Sequence, residues 1–246
     1  MRRFFIDRSA LEQPVPVISG TDARHIRSVL RLQSGAELRL VDGQGQAYDA
    51  RIIRMAPGRV EVKILRSFLA EREPGAQIII AQALLKDKKM DLLVRQLSEL
   101  GIRTWVPFLS RRSIPRPRPA GRGDRRQRWE MIARAALKQC RRGRLLEITD
   151  TFTFEGALDY GRGCDVKIIF WENDPTPLRL SRPESGIGSS RVMALVGPEG
   201  GFTEQEIETA REAGFVTAGL GPRILKAETA AFTAGVLLQH LFGDLG

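Results

Sequence analysis

From residue 77 onward the chain alternates short apolar runs with helical periods, and this pattern restricts its fold more than any other feature. Gln77-Ile-Ile-Ile-Ala-Gln-Ala83 is apolar at nearly every position, as a strand buried on both faces must be. Met90 to Leu100, stopped at Gly101, reads as a helix, and Ile102 to Leu109 as the next strand. Trp129 to Cys140 follows as a helix, then Val166 to Trp171 and Arg191 to Val196 as strands. Glu204 to Ala213 is helical up to Gly214, Phe215 to Leu220 is a short strand, and Ala230 to Phe242 is an apolar helix. Strands spaced by helices predict an α/β fold with a mostly parallel sheet covered on both faces.

Before residue 70 the texture differs. Glu37 to Val41, Ala47 to Ile53 and Arg59 to Leu65 alternate polar and apolar residues, separated by Asp42-Gly-Gln-Gly45 and Pro57-Gly58 turns. This describes a small β-barrel, interrupted by one helix over Asp22 to Arg31 with Thr21 as its N-cap. Two domains are therefore expected, residues 1–70 and 74–246, and no internal repeat is visible.

Charge narrows the partners. Lysine and arginine total 39 against 29 acids, a net of +10, and only seven of the cations are lysines. Arginine matches phosphate bidentately and stacks on bases, so a polyanionic partner, nucleic acid, is favoured over a purely genomic arginine bias. Eight arginines fall between Arg111 and Arg128, opposed by Asp124 alone, in a stretch rich in proline and glycine that predicts a basic loop. No run approaches the roughly 18 apolar residues of a membrane span, and Asp7 and Arg8 cut short the apolar start, so a soluble, cytoplasmic protein is expected. Cys140 and Cys164 lack CxxC spacing, so neither a disulfide framework nor a metal site is expected.

Two glycine-bearing segments sit where strand gives way to helix: Val196-Gly-Pro-Glu-Gly-Gly-Phe202 and Gly219-Leu-Gly-Pro-Arg-Ile-Leu-Lys-Ala-Glu-Thr-Ala230. Open α/β folds bind small molecules outside the carboxyl ends of their strands, so two such turns can form one pocket. Neither GxGxxG nor a GKS/T phosphate loop is present, and Glu199 would repel a phosphate, which favours a cationic or zwitterionic ligand. Ile224-Leu225 suits a wall against an aromatic ring, or else a loop plugging the core. Thr203-Glu-Gln-Glu206 has capping-box spacing.

The string Leu195-Val-Gly-Pro-Glu-Gly-Gly-Phe-Thr-Glu-Gln-Glu206, followed by Leu220-Gly-Pro-Arg-Ile-Leu-Lys-Ala-Glu-Thr-Ala230, resembles the SPOUT methyltransferases. More narrowly it is similar to the RsmE-type enzymes that methylate N3 of a uridine in 16S ribosomal RNA. Met1-Arg-Arg-Phe-Phe5, His25 with Val29-Leu-Arg31, and Asp42-Gly43 look like that family's N-terminal PUA-like barrel. Ser98-Glu-Leu-Gly101, Pro107, Ser110 to Ser113, and Gln139 with Arg142 extend the likeness over nearly the whole chain.

The resemblance implies a C-terminal SPOUT trefoil-knot domain, S-adenosylmethionine as cofactor, a homodimer, and 16S rRNA or the 30S subunit as partner. It implies a cofactor site of Leu195, Val196, Gly197, Glu199, Gly200, Leu220, Gly221, Ile224 and Leu225. Where the family commonly has Leu-Arg-Thr-Glu-Thr, this chain has Leu225-Lys-Ala-Glu-Thr229, which keeps the cation but loses the planar fork. Uridine N3 must lose a proton, so Arg223 or Lys226 is expected to stabilise the base anion and Glu199 or Glu228 to assist proton removal. Arg2, Arg3, Arg27 and Arg31, with Arg111, Arg112 and Arg142, are expected to contact RNA. Methylation of a ribose 2′-hydroxyl or another base remains an alternative, as does non-catalytic RNA binding, which would not need the paired glycine loops.

Overall fold

Residues 1–70, 75–115, 122–176, 178 and 190–245 are described in the structure, a computed structural model. It comprises two compact units, Met1–Glu73 with Arg134–Leu145, and Pro74–Ala133 with Leu146–Gly246.

In the first unit, alternation builds a mixed five-stranded sheet. Its strands are β1 (Arg3–Phe5), β2 (Val17–Ser19), β3 (Glu37–Val41), β4 (Gln46–Ala56) and β5 (Arg59–Leu69), in the order β1-β3-β4-β5-β2. Only β1 and β3 pair in parallel. Leu38, Leu40, Ala50, Ile52, Val60 and Val62 point to one core, which Phe4, Ile18 and Ile26 complete. The β4–β5 hairpin turns at Gly58, whose φ of +69° only glycine adopts without strain.

Helix α1 (Arg8–Leu11) follows β1, and α2 (Gly20–Arg24) leads into a single π turn, His25–Val29. The expected helix thus starts earlier than Asp22. Gly20, at φ +66°, turns the chain straight from β2 into the helix, so Ser19 occupies the N-cap and Thr21 lies inside. Residues 134–145 belong to this unit because Leu137 packs with Val41 and Ala47, and Lys138 Nζ lies 2.6 Å from Asp22 Oδ1.

The second unit is a parallel sheet with helices between its strands. Its elements are β6 (Gln77–Ala83), α3 (Lys89–Glu99), β7 (Thr104–Leu109), the part of α4 (Arg122–Cys140) before Arg134, β8 (Glu147–Ile148), β9 (Phe152–Thr153) and α5 (Phe154–Tyr160). Then come β10 (Val166–Phe170), β11 (Arg191–Val196), α6 (Glu204–Glu212), β12 (Val216–Ala218) and α7 (Ala227–Phe242). The order is β12-β10-β11-β6-β7-β8, with β9 also on β7, and every pairing is parallel. Ile78, Ile79, Ile80 and Ala81 are all buried, which explains the unbroken apolar run.

The chain builds outward from β6 to β8, then returns to lay β10 to β12 on the other side. The switch in direction lies between β6 and β11, where such sheets open a crevice at their carboxyl ends.

A second expectation is corrected. The basic stretch 111–128 is not a continuous loop: residues 122–128 form the first turns of α4, while 116–121 lie outside the described residues. Arg125, Arg126, Gln127 and Arg128 are good helix formers. Ion pairs from Arg128 to Asp91 (2.5 Å) and from Arg126 to Glu130 (3.0 Å) and Asp150 (2.8 Å) anchor them. Among the described residues no helix is long and apolar enough to cross a membrane, no metal-holding cluster occurs, and Cys140 and Cys164 are free thiols.

Candidate active site

The first glycine segment leaves β11 at the switch point and is held from several sides. Gln82, fully buried at the end of β6, donates through Nε2 to the Gly197 carbonyl at 3.0 Å. The Gly201 amide turns back to the Pro198 carbonyl (3.0 Å), with Gly201 at φ +67° and its Cα so close to Glu172 that a Cβ would overlap the carboxylate. Phe202 plugs the core against Phe108 and Phe154, at centroid distances of 6.4 and 5.9 Å.

Thr203 and Glu206 form the expected capping box at the start of α6. Glu206 reaches further, accepting from the Arg111 amide at 2.8 Å. Arg112 Nη1 then donates to the carbonyls of Gly200 (2.8 Å) and Phe202 (3.3 Å).

The second segment, residues 219–226, faces the first across a cavity of about 440 Å³. Gly219 packs so tightly on the Asp174 carbonyl that a Cβ would overlap it, whereas Gly221, at φ +98°, has open space where a Cβ would be. Val196, Gly197, Glu199, Leu220, Gly221, Ile224 and Leu225 line the cavity, as do Arg223, Lys226 and Glu228.

Two expected cofactor residues lie elsewhere. Leu195, one pleat before Val196, turns its side chain into the core with Ile169 and Phe202. Gly200 is outside the lining, its carbonyl taken by Arg112. Ile224 is 85% exposed, which decides against a loop plugging the core: a large apolar side chain is presented at the cavity wall.

Sequence reasoning missed Lys89, Phe170, Trp171 and Glu172, which also line the cavity. For Lys89 a signal existed. Lysines 86, 88 and 89 crowd the start of α3, where positive charge opposes the helix dipole.

Lys89 Nζ lies 2.9 Å from Glu199 Oε1 and 3.3 Å from Glu228 Oε2. The nearer contact is a hydrogen bond, and the farther one is a longer ion-pair contact to the buried Glu228 Oε2. Burial pushes the Glu199 carboxyl upward. The Lys89 hydrogen bond, the amides of Glu199 and Lys86, and the Lys89 charge together outweigh it, so Glu199 sits below the usual carboxylate range. The Glu199 hydrogen bond, with a further contribution from Glu228, holds the Lys89 ammonium above its ordinary value against partial desolvation. Arg223 and Lys226 are exposed, with no side-chain ion pair or hydrogen bond among the described residues.

The arginines expected at RNA divide into two groups. Arg2, Arg27 and Arg31 are exposed on the first unit, Arg3 donates to the Arg141 carbonyl, and Arg142 is half-buried. On the second unit, Arg111 donates to Gln205 Oε1 at 2.5 Å and Arg112 is bound to the glycine loop, so both also serve the site's architecture.

Residues 71–239 match the RNA methyltransferase domain, and residues 18–65 match the RNA methyltransferase PUA domain. The chain belongs to the RNA methyltransferase family. It is 28% identical over 241 residues to the ribosomal RNA small subunit methyltransferase E of Bacillus subtilis (strain 168), covering 95% of this chain and 94% of that one. A solved ribosomal RNA small subunit methyltransferase E from Neisseria gonorrhoeae, bound to S-adenosyl methionine, is 31% identical over the whole of both chains, with a TM-score of 0.86. A Legionella pneumophila methyltransferase in complex with bound SAM is 27% identical, covers 99% of this chain and 98% of its own, and has a TM-score of 0.86. The span matching the RNA methyltransferase domain contains Lys89, both glycine segments and the start of α7, and the PUA span contains β3 and β4 with most of β2 and β5.

Proposed function

We propose that the protein transfers a methyl group from S-adenosylmethionine to N3 of a uridine in 16S ribosomal RNA. The observation that carries this reading is the cavity between two glycine segments at the sheet's switch point. Similarity over nearly the full chain to small-subunit rRNA methyltransferases, one of them bound to S-adenosyl methionine, supports it.

The residues present fit such a cofactor. The cavity's volume falls within the ordinary range for ligand sites. Leu220, Ile224 and Leu225 offer apolar surface for an adenine ring, Gly221 brings bare backbone to the cavity, and the wall carries carboxylates that suit a sulfonium. When bound, the cofactor supplies an electrophilic methyl group already activated by the sulfonium. The protein's part is therefore to orient, desolvate and manage one proton.

Uridine N3–H is a weak acid, so methylation requires loss of that proton and stabilisation of the charge on O2 and O4. Arg223 and Lys226 form no ion pair among the described residues and serve as the stabilising cations. Glu199 and Glu228 are the candidate proton acceptors.

Residues 1–70 form the RNA-binding domain and 74–246 the catalytic one, whose C-terminal segment is threaded as the family's knot. Arg2, Arg3, Arg27, Arg31, Arg111, Arg112 and Arg142 contact RNA, chiefly at phosphates, and the target base leaves the stack to enter the cavity. The enzyme works in the cytoplasm as a homodimer.

The test is mass spectrometry of nucleosides from 16S RNA incubated with the protein and labelled S-adenosylmethionine. We expect 3-methyluridine; 2′-O-methylribose, another methylated base or no incorporation overturns the proposal.

A further inference from the structure

We propose that Lys89 is a positioning residue for proton removal, fixing Glu199 as its counter-ion and leaving Glu228 as the carboxylate that accepts the uridine N3 proton. This rests on the uridine-N3 reading of the site and adds to it a residue and a division of labour between two carboxylates.

The placement of Lys89 is the first observation. It is the first residue of an 11-residue helix, preceded by Lys88 at the N-cap, and a cation there is disfavoured by the helix dipole. The helix is served instead by Asp91 in its first turn. What compensates Lys89 comes from two other elements: Glu199 from the turn after β11 and Glu228 from the first turn of α7. Three elements meet at one ammonium in the cavity wall.

The second observation is that the two carboxylates are unequal. Glu199 Oε1 accepts both Lys89 Nζ (2.9 Å) and the Lys86 amide (3.2 Å), so that oxygen is engaged. Glu228 Oε2 has the longer Lys89 contact, 3.3 Å, and takes no backbone amide among the described residues, so it is the less engaged of the two. The N3–H of a base in the cavity is the further donor such an oxygen can accept.

The third argument is electrostatic. Two carboxylates converging on one ammonium repel each other once it is removed, and the pair then binds a proton more readily. The remaining charged groups facing the pair are Lys226 and Arg223 from the second glycine segment and Glu172 after β10. None of them forms an ion pair with Glu199 or Glu228 among the described residues, so none substitutes for Lys89.

The step balances. The N3 proton passes to Glu228 Oε2, the N3 electron pair forms the bond to the methyl carbon, and the electrons of the broken C–S bond stay on sulfur. The positive charge lost from sulfur equals the negative charge lost from Glu228, whose proton then leaves to solvent.

The experiment is single-turnover methylation against pH with the full chain, 16S RNA and saturating labelled S-adenosylmethionine, comparing wild type, Lys89→Met, Lys89→Arg, Glu228→Gln and Glu199→Gln. For Lys89→Met we expect a rate about 100-fold lower at neutral pH, the scale of general-base assistance, and an acid limb displaced to higher pH. Lys89→Arg should recover most of the rate and return the limb, and Glu228→Gln should lose more rate than Glu199→Gln. The proposal is overturned if the Lys89→Met limb coincides with wild type, or if Glu199→Gln is the more damaging change. If Lys89→Met does not fold, the Lys89→Arg and glutamine profiles decide. Nucleoside analysis of the same reactions separates the two readings: a product other than 3-methyluridine fails the function, and an unmoved limb on authentic 3-methyluridine fails Lys89 alone.

Discussion

Replacing Glu206 with alanine should destabilise the second unit by about 2–3 kcal/mol, and the figure follows from the bonds it makes. Glu206 is 7% exposed, with Oε2 accepting the Thr203 amide and hydroxyl, both at 2.9 Å, and Oε1 accepting the Arg111 amide at 2.8 Å. Loss of the capping box costs about 1 kcal/mol. Leaving the part-buried Arg111 amide without an acceptor costs about 1–2 kcal/mol more, near the lower end of the range because water reaches it in part. For a unit of this size, each kcal/mol lowers Tm by about 2–4 °C, so a fall of about 5–10 °C is expected.

Glu206→Gln keeps a capping-box acceptor and should lose about 1 kcal/mol. Differential scanning calorimetry, with reversibility and single-transition behaviour checked for the unit, is the assay. Because the Arg111–Ser113 turn carries Arg112, which holds the Gly200 and Phe202 carbonyls, Glu206→Ala should also weaken S-adenosylmethionine binding. A loss of stability below about 1 kcal/mol would refute the view that Glu206 joins the two segments.

Arg223→Ala and Lys226→Ala should each slow single-turnover methylation by about 100-fold; unchanged rates in both would remove them as anion stabilisers. If Arg27 and Arg31 neutralise RNA phosphates, the double alanine variant should make the slope of log K against log salt shallower by about 1.4, read by filter binding over a salt series. Asp49 is held below the usual carboxylate range first by its hydrogen bond from Arg39 and also by Arg66, against the upward push of burial. Its stabilisation is therefore present above the unfolded-state value, about 3.9, and is lost as pH falls through the folded one. The urea midpoint of Asp49→Asn should accordingly trail wild type most near neutral pH and approach it in acid.

Features encoded by neighbouring residues were legible. β3, β6 and β11 fall where alternation or apolar runs place them, and the Thr203–Glu206 capping box forms as its spacing predicts. β1, β2, β8 and β9 were not legible, because two or three residues carry no period and the partner strand defines them. Helix α5 escaped for a related reason. Seven residues make barely two turns, and its identity rests on Phe154, Ala157 and Leu158 finding the core and on the Thr203-like cap at Thr153.

The sequence by itself determined the longer elements, that a parallel sheet carries them, and that two glycine segments stand where strand gives way to helix, since each depends on periodicity or on backbone freedom within a few residues. Only the tertiary structure decided that Leu195 turns inward while Ile224 stands at the cavity wall, because burial depends on what packs opposite. The same holds for Lys89: Glu199 lies 110 residues away in the chain, and no local pattern can say which two carboxylates will meet one ammonium.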